Sequence, residues 1–305
     1  MLGPFGLIEG SRRGRTPTWR AGTTSGCCCA RPDQVRRCEW SRRIARYFGR
    51  VTTALDDPVA FAEVMAPVLD RAAIGVHMAV PRDRYSRLRE QYGIDRLGFL
   101  IELRQPVLAG IPIALIGLAA IVRYPPPGFI DEEIDRQVGG GMLVRDDDRL
   151  LPTERARSVV ADVVALQDDV ASELWSWRAA TIERLDELAV KAIDAGRGSG
   201  GPAFAVQTSA PVPSGRSPAF RLWSNLWPLR YHRADAHAAA WAAEGLTAHE
   251  MATLASGEQR DRIEAETNRR AAPPWAGLSE HERLELLAGL GALPCLLYTS
   301  PSPRD

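Results

Sequence analysis

The chain has 305 residues, 45% hydrophobic and 25% charged, with 38 basic and 38 acidic side chains and a formal net charge of zero. This composition excludes a collagen-like, coiled-coil or wholly disordered chain, and the length suits one or two domains. The neutrality conceals a division. Residues 1–50 carry eleven Arg against three acids, whereas residues 51–294 carry 26 basic and 34 acidic residues.

The two ends stand apart from the rest. Residues 1–50 hold Cys27, Cys28, Cys29 and Cys38 and show neither a strand nor a helix period. Met1–Gly10 lacks the apolar core of a signal peptide. Three readings remain for this segment. The favoured one takes it as non-native upstream sequence, with the true start near Val51. The others are a disordered basic tail for nucleic acid, and a metal site that adjacent cysteines suit poorly. At the other end, Cys295–Asp305 resembles the in-frame translation of a sequencing-library adapter, which predicts a body cut near Pro294. Residues 51–294 contain no cysteine, and a cytoplasmic location fits. Their only Lys is Lys191, as in proteins from GC-rich genomes.

In chain order, Asp57-Pro58 predicts a capped helix into the 70s that buries Phe61, Met65 and Leu69, with Pro67 as a kink. Pro81 opens a second helix that stops near Gly93. Residues 106–122 are seventeen apolar residues without a charge. Pro106, Gly110 and Pro112 leave about ten helical residues, which rise about 15 Å, half a bilayer core. A buried helix is therefore expected, not a membrane span. Pro125-Pro126-Pro127 ends it and leads into a helix over 128–138, whose Ile130, Ile134 and Val138 form one buried stripe. Residues 142–145 and 149–151 flank an acidic turn and predict a β-hairpin. Pro152-Thr153 then caps a single long helix from Glu154 to about Leu188. Residues 195–218, rich in Gly, Pro and Ser, read as a flexible linker. It would separate a domain at 51–194 from a helical region at 219–294. That region holds a helix kinked at Pro228 and two capping boxes, Thr247 with Glu250 and Ser279 with Glu282.

Helix, turn, helix, hairpin and helix is the order of a winged helix-turn-helix. The stretch from Ile111 to Val160, which contains LLPTERAR, resembles the winged module of MarR-like regulators over about residues 100–165. The expected fold is thus mainly α: a winged helix-turn-helix with a short wing, plus an additional helical bundle. A second resemblance lies further on. The strings RLWSNLWPLRYHRADAHAAAWAAEGLT and RIEAETNRRAAPPWAGLS are similar to segments of an actinobacterial SalK-like helix-turn-helix family of unsettled function. Its His-Arg-x-Asp-x-His core is matched by His232, Arg233, Asp235 and His237. Glu266, Thr267, Asn268, Pro274 and Trp275 match its second segment. The relatives are expected to carry a winged module between the segments; here only Gly245–Asp261 intervenes.

On a helix, His232 and Asp235 share one face, and Arg233 and His237 a neighbouring one. With His77 brought near by folding, these residues are candidate ligand contacts. The alternative is structural: His232 satisfied by Asp235, with Arg233 at the surface. No motif identifies a cofactor, a metal site or a reaction, and the reading leans away from an enzyme. Candidate DNA contacts are Arg123, Tyr124, Arg136, Arg145 and Arg149. Against them, the exposed face of the second helix is expected to show Glu132, Asp131 and Asp135 beside Arg136, a poor match to phosphates. Two functions follow: a ligand-responsive, homodimeric transcriptional regulator that binds DNA, or a winged helix retasked, without DNA binding, to bind a small molecule or a protein, or to act as an enzyme, through its His232 and Asp235 cluster.

Overall fold

A computed structural model describes residues 54–126, 128–175 and 178–294. The expectations for residues 1–50 and 295–305 fall outside the described residues. The first helix, α1 (Pro58–Ala79), starts where Asp57 accepts from the amides of Val59 and Ala60 and runs through Pro67 without a break. The second, α2 (Arg82–Tyr92), ends at Gly93, whose φ of 61° lets the chain turn away.

The uncharged stretch folds differently from the expected single helix. It gives α3 (Arg104–Leu108), a two-residue strand β1 (Ile113–Ala114) and α4 (Leu115–Ile121). Among the described residues, no helix is long and apolar enough to cross a membrane. After the prolines comes α5 (Phe129–Gly139), then β2 (Leu143–Asp146) and β3 (Arg149–Pro152). The hairpin turns at Asp147, whose φ of 50° a short polar side chain tolerates. The sheet is antiparallel in the order β1-β3-β2, with Ile113 opposite Leu150 and Val144 opposite Leu151. The Leu115 amide donates to the Asp148 carbonyl at 2.8 Å, so the wing turn holds the start of α4. Helix, strand, two helices and wing form a winged helix-turn-helix, as the pattern of residues predicts.

The stripe on α5 is graded. Ile134 is 2% exposed, whereas Ile130 and Val138 are half-buried against the same core. Between stripe and solvent, Glu133 is buried, accepting from Gln137 at 2.9 Å and pairing with Arg136. Gly98 faces it: a Cβ there would stand 2.0 Å from a Glu133 carboxylate oxygen, so no other residue fits unless Glu133 moves.

The helical bundle departs from expectation in two places. Thr153 caps α6 (Glu154–Trp175) as predicted, accepting from the Ala156 amide at 3.2 Å. The rod does not continue to Leu188, and α7 (Ala179–Gly196) follows as a separate helix. One helix of 35 residues would rise about 52 Å. Divided, both halves lay their apolar stripes, such as Val159 and Val163 or Ile182 and Leu185, on the same core. The second departure is the expected linker. It contains α8 (Pro202–Gln207), with Ala203, Phe204 and Gln207 buried, and the described residues on both sides of it lie in one compact unit. Glycine and proline here set tight turns instead of flexibility.

The central element is α9 (Pro218–Ala243), capped by Ser217 and continuous through Pro228. Phe220, Trp223, Leu226, Trp227 and Tyr231 are buried on more than one side, as a helix surrounded by others requires. Around it pack α1, α6, α7, α8 and α11 (Glu258–Arg270). Short α10 (Ala248–Thr253), α12 (Pro273–Ala276) and α13 (Glu280–Gly291) complete the bundle, with capping boxes at Thr247 and Ser279 as predicted. Because burial grades the α5 stripe, Ile134→Ala should destabilise the fold by about 2–4 kcal/mol and Ile130→Ala by about half as much. Urea unfolding of the two variants measures the difference.

Candidate functional site

The site is a cleft of about 600 Å³ where α4 of the winged module meets the second half of α9. Ala120 and Arg123 form one wall; Asp235, Ala236 and Ala239 form another; the turn at Ser199, Gly201 and Pro202 closes the end. Trp241, Arg270 and Pro273 complete the rim. Its size lies in the range of small-molecule pockets, and most of its lining is apolar.

The polar centre is an ion pair. Arg123 follows the last turn of α4, and its Nε returns to the Ala120 carbonyl at 2.7 Å. One terminal nitrogen donates to the Ala234 carbonyl, and the other reaches Asp235 Oδ1 at 2.6 Å. The side chains are 8% and 7% exposed. The other Asp235 oxygen accepts from the Phe204 amide at 2.9 Å, inside the first turn of α8. Asp235 therefore does the work of an N-cap from a different helix, and it faces the positive end of α8. The approach is close: a Cβ on Gly201 would stand 2.8 Å from Asp235 Cβ.

His232 and Asp235 do not bond to each other, contrary to the structural alternative drawn from their spacing. His232 Nε2 meets Ser199 Oγ at 2.9 Å. Ser199 Oγ also lies 3.1 Å from the Gly196 carbonyl, an acceptor only, so its proton goes there and the imidazole donates to the hydroxyl. Phe204 packs edge-on against the ring at 5.3 Å. His237 repeats the arrangement, with Nδ1 at 3.0 Å from Thr267 Oγ1, which itself donates to the Ile263 carbonyl. Arg233 is held by Asn268 at 2.7 Å and Glu264 at 3.4 Å. His77 does not join them: it lies on α1, packed against Tyr85. Among the described residues, no group of three or more His, Cys, Asp or Glu is arranged to hold a metal.

The candidate DNA contacts divide. Arg123 is committed to the cleft, and Arg136 to Glu133. Arg145 and Arg149 are exposed on the wing, Arg149 at 3.7 Å from Asp148, and Tyr124 is exposed beyond α4. The solvent face of α5 shows Asp131, Glu132, Asp135 and Arg136. Among the cleft residues that the sequence did not mark are Ser199, Gly201 and Arg270. The first two sit in the supposed linker, where only the Gly-rich spacing signalled a close backbone approach.

By fold the chain is a winged helix-turn-helix protein with an added helical bundle. Residues 148–259 match the model of a helix-turn-helix family, from the wing turn through α9 and α10. No curated protein and no solved structure matches.

Two measurements test the site. Removing one partner of a buried ion pair leaves the other charge uncompensated, so Asp235→Ala should cost about 3–5 kcal/mol in urea unfolding. Adding Arg123→Met should restore part of it. Burial lowers His232 from 6.5 to about 4, and burial with the nearby Arg233 does the same to His237. The unfolded chain then binds protons that the folded chain refuses. Stability is complete above about pH 6.5 and falls as pH drops toward 4. His232→Gln and His237→Gln should each flatten the melting temperature measured across that window.

Proposed function

We infer that this is a ligand-responsive winged-helix protein whose cleft takes a small, largely apolar molecule. One observation carries the reading: the cleft is built across the junction of the helix-turn-helix and the bundle, and Arg123 of the first bonds Asp235 of the second inside it. An occupant that packs beside this pair changes the contacts that fix α4, so binding and the position of the winged module are linked.

A second reading is supported by the helix-turn-helix match and by exposed Arg145 and Arg149: the wing touches duplex DNA. Electrostatics oppose a tight complex, because α5 presents three acids and one Arg to solvent. The fold by itself does not choose.

Both readings are open to one set of experiments. Anilinonaphthalene sulfonate, an aromatic probe that brightens in apolar clefts, should bind the native protein, and Ala239→Trp, which fills the cleft from an exposed position, should abolish the signal without lowering the melting temperature. Hydrogen exchange over 115–121 should slow when the probe is bound. If Ala239→Trp leaves the fluorescence intact, the cleft reading is lost. For the wing, retention on mixed duplex DNA at low salt that weakens in an Arg145→Glu, Arg149→Glu variant supports contact; no retention removes it.

A further inference from the structure

Three charged side chains line the cleft: Arg123, Asp235 and Arg270. The first two are committed. Every Arg123 nitrogen is bonded, to the Ala120 and Ala234 carbonyls and to Asp235 Oδ1, and the second Asp235 oxygen takes the Phe204 amide. Their charges cancel inside the wall, so neither offers an occupant an ion.

Arg270 differs. It is the last residue of α11, and its side chain is 45% exposed, so the rim of the cleft is open to solvent beside it. Its Nε donates to Glu266 Oε1 at 2.6 Å, one turn back on the same helix. Among the described residues its two terminal nitrogens make no hydrogen bond. Glu266 is divided, because its other oxygen pairs with Arg269. One carboxylate thus serves two guanidinium groups, and the rim keeps one positive charge in excess. A helix C-terminus favours a cation wherever it lies. This one borders a cleft of about 600 Å³, with Trp241 and Pro273 sharing the rim and alanines on both walls.

We propose that the cleft selects an apolar organic acid in its monoanionic form over a neutral molecule of the same shape, and that Arg270 sets this preference. The inference rests on the cleft reading above and adds the charge of the ligand to it. The two terminal nitrogens of Arg270 are coplanar donors that match the paired oxygens of one carboxylate. Alanines, prolines and the Trp241 ring take the apolar body. A second negative charge would find no counterion, since Arg123 is already balanced by Asp235. A cation would meet the excess positive charge of the rim. Because Arg270 is partly exposed, water and salt screen the contact, and its effect on affinity is about five- to tenfold.

The test uses the full chain and N-phenylnaphthylamine, a neutral fluorescent probe that has the body of anilinonaphthalene sulfonate without its charge. The bound probe is displaced by naphthoate or by naphthalenemethanol, which share a ring system and differ in charge, at neutral pH and fixed ionic strength. Naphthoate should displace it at about five- to tenfold lower concentration than the alcohol, and added salt should narrow the gap. Arg270→Met keeps the length of the aliphatic stem. It should erase the gap while leaving the affinity of the probe, the affinity of the alcohol and the melting temperature unchanged. Glu266→Gln, which releases Arg270 from its partner, should widen the gap by about twofold. The proposal is overturned if acid and alcohol compete equally in the native chain, or if Arg270→Met weakens both alike or neither. The two failures are distinct. If Ala239→Trp leaves the probe bound, the cleft reading is lost and this proposal falls with it. If Ala239→Trp expels the probe while acid and alcohol compete equally in the native chain, only the preference for an anion is lost.

Discussion

The contact between Arg123 and Asp235 ties together three parts of the molecule that are distant in sequence. Taking both charges out of water costs several kcal/mol, and only good geometry with further hydrogen bonds offsets it. Here that offset comes from the Ala120 and Ala234 carbonyls on the arginine side and the Phe204 amide on the aspartate side. Each partner fixes a different element. Arg123 holds the end of α4, Asp235 holds the start of α8, and α9 contributes Asp235 itself and the Ala234 carbonyl. The cleft exists because these elements meet at charged side chains and alanines instead of at large apolar ones.

The winged module carries few free cations on its surface. The helix that would enter a major groove has its one internal acid, Glu133, paired with Arg136 and accepting a hydrogen bond from Gln137. That use of Arg136 leaves the exposed acids of α5 without compensation on their own face. The wing retains two exposed arginines beside three aspartates. Phosphate attraction scales with free cations, and Arg123 of this module is held by Asp235 of α9. Winged-helix architecture is thus combined with a surface poor in free cations.

The bundle contains the opposite economy. Around Arg104, donors outnumber acceptors in a region lined by tryptophans. Neither this cluster nor the cleft is visible from any one helix. Both depend on α9, which is buried on several sides and so presents different residues to α1, α3, α8 and α11.

Local signals in the sequence were reliable wherever the physics is local. Asp57-Pro58, Gly93, Thr153 and the two capping boxes fix helix ends through bonds spanning two to four residues, and they stand where the sequence puts them. The helix-turn-helix and its hairpin were legible for the same reason: periodic burial and turn residues specify them. Three features were not. Strand β1 is two residues long and exists only because β3 is there to pair with it. The break between α6 and α7 lets both halves lay their apolar residues on one core. The segment 202–207 is a helix because Asp235, more than thirty residues away, supplies its cap. The chain alone determined a mainly helical winged-helix protein and brought His232, Asp235 and His237 to notice. Which partner each of them takes was decided by tertiary contact, since a buried polar group bonds whatever folding sets beside it, and sequence spacing carries no record of that neighbour.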